Sequence, residues 1–521
     1  MRLTEIFSSI QVSLTRFGTL QSRWRHLLPI VCGAGLALAQ SPFSQFWVVF
    51  LVLPLVFSLL ANSTSKRAAA LIGWLLGTGY FMIALNWITQ PFLVDVQRHG
   101  WMAPFALVSM AGGLALFWAA AFWAARYFSV KNYALAAAIA GFWTLSEYAR
   151  STVLTGFPWA LTGYGWIETP VAQNAAWAGP HGLGLMTLAT GLSLTIALPR
   201  SLIISGALIA ALWLFGLWRA PDVATLREDG FVVRLIQPNA DQSLKWDADW
   251  VAKFYQRQLD YSATKTETQP DVIIWPETSV PFILSTSQGA MAEIAASATP
   301  ARVIMGIREL QGEPGRETLF NSLALLDRTG MVTARYDKYH LVPFGEYIPF
   351  AQWLSGFDIG PLTSENLFGF SAGDGPLLIQ TNGIPAFLPL ICYEAIFPDA
   401  MQAPEGRAEW LVQITNDAWF GKLTGPFQHL AQARMRAIEQ GLALARSANT
   451  GISAMIDPYG RLIRQIGLGS EGFVDAPLPM ALAPTPYSRT GDLPALLAAM
   501  LMVGFALASR RSDKPLTTSD D

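Results

Sequence analysis

The sequence predicts two parts of different fold class, a polytopic α-helical membrane domain followed by an α/β extramembrane domain. Three observations carry that expectation. Only 14% of the residues are charged and 52% are hydrophobic, where a soluble domain carries roughly 25% charged residues. The charge is also uneven: residues 1–219 hold twelve Lys/Arg against four Asp/Glu, and residues 220–521 hold twenty-three against thirty-three. Finally, long apolar runs crowd the first part, whereas from Phe231 short β-type runs alternate with amphipathic stretches.

A bilayer-spanning helix needs about 17–25 mostly apolar residues. The candidates are Leu27–Ala39, Phe46–Ala61, Ala68–Ile88, Met102–Ala125, Tyr133–Tyr148, His181–Leu198, Leu202–Trp218 and Leu493–Ser509. Eight spans is the most economical count; seven would follow if Leu27–Ala61 formed a re-entrant hairpin. Ala37-Leu38-Ala39 has the form of a signal-peptidase site. The region before it is unusually long, however, and another apolar run follows almost at once, so the segment reads as an uncleaved first span. With the N-terminus inside, the inner loops hold Arg2, Arg16, Arg23, Arg25, Lys66, Arg67, Arg126, Lys131, Arg200, Arg510, Arg511 and Lys514. The outer loops hold only Arg98, Arg150 and Arg219. Positive charge collects on the cytoplasmic side, so both termini are expected there. The expected division is a membrane domain over 1–219 with about seven transmembrane helices, an outer domain over 220–490, and a final helix with a short cytoplasmic tail over 491–521. The outer loop Arg150–Pro180 carries Trp159, Tyr164, Trp166 and Trp177 among glycines. Such aromatics favour the lipid–water interface, and the loop is expected near the entrance of a site.

In the second part, "FVVRLIQ", "DVIIW", "ARVIMGI", "SLALLD", "AFLPLIC", "EWLVQIT" and "ISAMIDPYG" read as strands. Ala248–Thr264, Met291–Ala298 and Gln428–Arg446 read as helices, and strands separated by helices make an α/β domain. "DPYG" (457–460) reads as a tight turn between two late strands. Three chemically capable residues close strand-like runs: Glu277 in "DVIIWPET", Lys338 in "ARYDKYHLVPFGE" and Cys392 in "FLPLICYE". Loops at strand ends carry chemistry on a rigid frame. Taken singly, each has a plainer reading: a buried thiol that only fills space, a helix-capping acid, an exposed lysine.

Together, "WPET" (275–278), "KYHLVPFGEY" (338–347), "ICYE" (391–394) and "NDAWFG" (416–421) resemble the apolipoprotein N-acyltransferases, the membrane-embedded branch of the nitrilase or carbon–nitrogen hydrolase superfamily. "SLKWD" (243–247) and "ARMRAIEQGLALARSANTGISAMIDPYG" (433–460) extend the resemblance over essentially the whole outer domain. It implies a nitrilase-like αββα sandwich and a catalytic set of Glu277, Lys338 and Cys392. Glu346, Tyr393 and Glu394 would support the site, and Trp246 would meet substrate. It also implies a phospholipid acyl donor, commonly phosphatidylethanolamine, and a diacylglyceryl-lipoprotein acceptor with a free N-terminal amine. The setting would be a bacterial inner membrane with the catalytic domain periplasmic. The stretch 350–375 resembles a mobile loop of the family, and no residue is carried over from it.

The residue types suit that chemistry in their own right. A thiol is the best side-chain nucleophile near neutral pH but must lose its proton. Glu277 can take it, and Lys338 can stabilise an oxyanion together with the Tyr393 N–H. Glu346 reads equally as a holder of the Lys338 ammonium or as a surface acid. The histidines, at 26, 99, 181, 340 and 429, include no pair at metal-ligand spacing, and no Gly-rich phosphate loop follows a strand. Neither a metal nor a nucleotide cofactor is expected. Sparse basic residues between apolar runs give no nucleic-acid surface, so the expected partners are the bilayer and the two lipid substrates. A membrane-anchored nitrilase-type amidase, passing the acyl group to water, would keep the same triad and is the competing reading.

Overall fold

Each of the eight apolar runs forms a helix in the structure, a computed structural model that describes residues 24–129, 132–195, 200–313, 316–349, 369–401 and 406–511. Lys131, Lys514, Arg2, Arg16, Arg23, the side chains of Arg25 and Arg511, and most of the 350–375 loop lie outside the described residues. The chain divides into two compact units, one of residues 1–221, 423–431 and 485–521, the other of 222–422 and 432–484.

In the first unit the helices are α1 (Trp24–Ala37), α2 (Val48–Ala61), α3 (Lys66–Ala84), α4 (Ala103–Phe128), α5 (Asn132–Thr152), α6 (Ala175–Ser193) and α7 (Arg200–Arg219), with a last helix over Leu493–Arg511. Among the described residues, four stretches are long and apolar enough to cross a membrane: Lys66–Ala84, Val96–Phe128, Arg200–Arg219 and Leu493–Arg510. The helices α1 and α2 have 14 residues each, about 21 Å of rise against a hydrocarbon core of about 30 Å. The helix α5 carries Glu147 and Arg150, and α6 is broken at Gly179, beside Pro180.

The polar groups of this unit serve its own packing. Glu147 accepts the Thr162 hydroxyl at 2.8 Å, and Arg150 donates to the Trp159 carbonyl at 2.8 Å. His181 lies 3.2 Å from the Ser151 hydroxyl and 3.0 Å from Asp492. These contacts fold the 150–180 segment inward, which corrects the reading of its aromatics as interfacial. Trp159, Tyr164 and Trp166 are buried, and only Trp177 is exposed. The Trp159 indole donates to Gln428 at 2.6 Å and packs on Trp87, and the Trp166 indole donates to Thr187 at 2.7 Å. A buried indole needs an acceptor, and each of these has one inside the unit.

Among its described residues the second unit holds twelve strands: β1 (Val232–Gln237), β2 (Val272–Ile274), β3 (Arg302–Gln311), β4 (Thr318–Leu326), β5 (Val332–Asp337), β6 (Ile379–Thr381), β7 (Ile384–Ile391), β8 (Trp410–Thr415), β9 (Ala443–Ala448), β10 (Ser453–Ile456), β11 (Leu462–Ile466) and β12 (Gly472–Pro477). They form two six-stranded sheets, ordered β12-β1-β2-β3-β4-β5 and β11-β10-β9-β8-β7-β6. In each, three parallel strands run on into antiparallel ones: β1, β2, β3 continue into β4 and β5, and β7, β8, β9 into β10 and β11. The sheets stack face to face, and polar side chains bond across the seam: Ser447 donates to the Ile236 and Ile274 carbonyls, and Ser453 to Gln237.

The helices α8 (Ala248–Ala263) and α9 (Gln288–Ala298) bury Leu259, Met291, Ile294 and Ala298 against Ile273, Trp275, Val303 and Met305 of the first sheet. The helix α10 (Gly425–Gln440) buries Met435 and Ile438 and is tied by Arg436 to the Ile396 carbonyl, just past β7. The layers are therefore α, β, β, α, the sandwich that the resemblance implied. The "DPYG" turn joins β10 to β11 as expected. One element differs: the helix expected over Gln428–Arg446 stops at Gln440, and Ala443–Ala448 is a fully buried strand. Gly441, at φ +65°, turns the chain out of the helix. The composition of "LALARSA" does not announce the change, because Ala, Leu and Arg are good helix formers.

Candidate active site

Past β2 the chain turns sharply against β3. The Gly306 N–H donates to the Pro276 carbonyl at 3.2 Å, and the Ser279 N–H to the Gly306 carbonyl at 3.0 Å. A Cβ at position 306 would stand 2.5 Å from the Glu277 Cα, so only glycine lets the turn lie this close. The turn aims the buried Glu277 inward, where one carboxylate oxygen accepts from the Asn321 amide at 2.7 Å and the other from the Asn416 N–H at 2.8 Å.

Lys338 leaves the end of β5 and is also buried. Its ammonium lies 2.9 and 2.8 Å from the two oxygens of Glu346, and 3.7 Å from Glu277. Burial alone would push its pKa down, but the Glu346 and Glu277 carboxylates outweigh that and raise it, so the ammonium stays charged. Glu346 in turn accepts from Asn321 at 3.1 Å and from the Val342 N–H at 2.8 Å. It is a partly buried partner of the lysine rather than a solvated surface acid.

Cys392 ends β7 at φ +52°, a strained backbone for a non-glycine residue, and opens a short turn over Cys392–Ile396. The thiol is buried, bonds to the Thr415 side chain, and feels the charges of Glu277, Lys338 and Asp417. Burial first, then Glu277, push its pKa up, beyond what Lys338 and Thr415 pull back. The resting sulfur is therefore a neutral thiol whose proton must leave during attack.

Glu394, fully buried, ties these pieces together. One of its oxygens accepts from the Tyr336 hydroxyl at 2.8 Å and from the Tyr339 N–H at 2.9 Å; the other accepts from the Ile391 N–H at 2.7 Å. Burial pushes its pKa up to about 7 against the pull of these donors. Tyr393 is buried with its ring edge-on to Phe397, 5.1 Å between centroids. His340 stacks on Phe397 at 3.6 Å, a packing role. Trp246 stands apart from this group, 45% exposed, with the Arg308 guanidinium 4.9 Å above its ring. It borders a narrow crevice that Lys245 and Glu277 also line.

Three site residues escaped individual notice in the sequence. Lys245 is buried and donates to the Thr278 hydroxyl at 3.0 Å and the Glu277 carbonyl at 3.3 Å. Asn321 bridges both glutamates, and no local pattern in its strand marks it. Asn416 holds Glu277 through its N–H, while its side chain bonds to Gln242 and Asn449. Next to it, Asp417 pairs with the buried Arg446. The "NDAWFG" motif is thus a brace for the carboxylate.

Residues 233–485 match the carbon–nitrogen hydrolase family model, and residues 32–193 match that of the apolipoprotein N-acyltransferase N-terminal domain. An apolipoprotein N-acyltransferase of Rhodopseudomonas palustris is 37% identical over 94% of this chain and 95% of its own length. The chain belongs to the apolipoprotein N-acyltransferase family. A Bradyrhizobium diazoefficiens member is 39% identical over 93% of this chain and 95% of its own length. Membership makes this chain a membrane protein and an acyltransferase with a nitrilase-like domain, and the cluster around Glu277 is the candidate active site of that domain.

Two outcomes follow from the geometry. Gly306→Ala should drive the Glu277 turn off β3, lowering turnover about a hundredfold at a stability cost of about 1–3 kcal/mol; turnover and thermal midpoint, measured on one preparation, check both. The second concerns pH. Burial brings the Lys245 pKa down to about 8, against the pull of Glu277, with Arg308 lowering it further. Its charge is therefore full below pH 8 and fades above it, where an ordinary lysine would still be charged. Turnover should fall along an alkaline limb near pH 8, and Lys245→Met should lack that limb while running about tenfold slower at neutral pH.

Proposed function

We propose that this acyltransferase moves an acyl chain from a membrane phospholipid to the N-terminal amine of a diacylglyceryl-cysteine lipoprotein, through a thioester on Cys392. Phosphatidylethanolamine is the donor we favour. The observation that supports the reading most is the meeting of Glu277 and Lys338 at 3.7 Å, with both charges acting on the Cys392 thiol, in a chain of this family.

In the first half-reaction Glu277 takes the thiol proton as sulfur attacks the ester carbonyl. The new C–S bond leaves an oxyanion that meets the Lys338 ammonium and the Tyr393 N–H. The intermediate collapses, the C–O bond breaks, and Glu277 returns the proton to the departing lysophospholipid. In the second, Glu277 takes a proton from the attacking amine, the amide bond forms as the C–S bond breaks, and Glu277 returns the proton to the departing sulfur. Glu346 holds the ammonium in place, and Glu394 holds the lysine loop and the thiol turn in register.

The rim of the domain suits lipid-linked substrates. Trp246, Phe344 and Trp419 are all exposed. Each lies within three residues of a group that touches Glu277 or Lys338, namely Lys245, Glu346 and Asn416. Aromatic surface beside a reactive thioester also limits its hydrolysis, which favours transfer to an amine over an amidase-like transfer to water.

Mass spectrometry of the purified protein with phospholipid tests this directly. Cys392 should gain one acyl chain, retained until a diacylated peptide with a free N-terminus is added, and an acetylated peptide should not discharge it. Glu277→Gln should lower acylation at least a hundredfold, whereas Cys32→Ala should be silent, since Cys32 is a buried helix residue. Rapid release of free fatty acid, indifferent to the peptide, would favour the amidase.

We further propose an inner-membrane setting with the catalytic domain periplasmic and both termini cytoplasmic, on the loop-charge asymmetry. A reporter fused after Trp218 should then be active only outside the cytoplasm, and one at the C-terminus only inside. Activity of both on one side would remove the last span.

A further inference from the structure

Arg308 is a half-buried cation that lacks an anion. Among the described residues it makes no ion pair, and its buried Nε has no hydrogen-bond partner. Burial lowers its pKa with no carboxylate to offset the effect. A desolvated charge left unpaired is costly, so its position needs a reason.

Its direction supplies one. In the antiparallel β3–β4 register Arg308 stands opposite Asn321, and residues directly opposite share a face of the sheet. The Asn321 side chain reaches Glu277 and Glu346, so Arg308 leaves the sheet on the same side as the candidate catalytic groups. There the guanidinium is braced on the half-exposed Trp246 ring at 4.9 Å, while the neighbouring Lys245 registers it as a like charge. Two cations and one aromatic ring thus border the site, and Arg308 keeps a donor to offer.

We propose that Arg308, braced on Trp246, binds the phosphodiester of the phospholipid donor while the donor's ester is presented to Cys392. The inference rests on the reading of the donor as a phospholipid. Guanidinium matches a phosphate oxygen pair in shape and charge. The phosphodiester is also the anion that every glycerophospholipid carries whatever its headgroup, so this site selects the class of donor and not the headgroup.

The test uses the full-length protein in detergent and follows Cys392 acylation by mass spectrometry. Two donors carry the same acyl ester, phosphatidylglycerol with the phosphate and diacylglycerol without it. Arg308→Gln should raise the half-saturating concentration of phosphatidylglycerol about tenfold to a hundredfold, with the rate at saturation nearly unchanged, and leave diacylglycerol untouched. Arg308→Lys should recover part of the loss. An equal loss with both donors, in a variant that keeps the wild-type thermal midpoint, would make Arg308 structural and overturn the proposal. So would no change with either donor, or a change only in the half-saturating concentration of the acceptor peptide. Added inorganic phosphate that alters both donors alike, through Arg308, would assign the position to free phosphate and overturn it too. If the wild-type protein takes an acyl chain from diacylglycerol but from no phospholipid, the donor reading itself fails, and this inference with it.

Discussion

One buried carboxylate holds the two halves of the sandwich in register where the chemistry is proposed to occur. β5 belongs to the first sheet and β7 to the second, and their ends carry Lys338 and Cys392. Glu394 accepts from Tyr336 and Tyr339 on one side and from Ile391 on the other. An acceptor with several donors in a dry interior is expensive to disturb, because each orphaned N–H costs about 1–3 kcal/mol. The lysine and the thiol are therefore held at a fixed separation by this shared anchor. Neither sheet alone could fix it.

Around that pin, charge is arranged so that nothing reacts at rest. The cluster holds two carboxylates, Glu277 and Glu346, against the Lys338 ammonium, with Lys245 behind the Glu277 turn. Burial leaves the thiol protonated even though a cation lies near it. In the proposed reaction this protects the sulfur until a carbonyl is in place. Only then does proton transfer to Glu277 become coupled to bond formation, and only then does Lys338 have an oxyanion to meet. The strained backbone at Cys392 and at Thr278, both at positive φ, falls on the two turns that carry the proposed nucleophile and base. Strain held at such positions is stable only because the surroundings over-determine it, and here Glu394, Asn321 and Asn416 provide that surplus.

What the sequence disclosed follows from how far each signal reaches along the chain. The αββα domain was legible because seven of its strands lie in short, mainly apolar runs with turn residues between them. Glu277, Lys338 and Cys392 were legible because each closes such a run. Glu346 stayed ambiguous: eight residues from Lys338, it could have faced water, and only the folded loop brings it to 2.8 Å. Lys245 and Asn321 carry no local mark, since their meaning lies in contacts with Glu277, 32 and 44 residues away. The end of α10 was hidden because "ALARSA" satisfies helix and buried strand alike. The 150–180 aromatics were misread as interfacial because the acceptor that draws Trp159 inward, Gln428, lies 269 residues along the chain.

Both units pair most of their buried charges. In the helical unit Glu147, Arg150 and His181 meet a threonine, loop carbonyls, a serine and an aspartate. In the sandwich unit Arg234, Arg436 and Arg446 meet Asp475, Glu439 and Asp417, whereas Arg308, among the described residues, makes no ion pair. A fold selected only for stability would replace such a residue with an apolar one at little cost. Its presence on the face that also carries Asn321 is intelligible if an anion arrives with the substrate. The same economy explains the exposed Trp246 ring beneath it: a flat apolar surface can brace a guanidinium and still present an edge to a lipid.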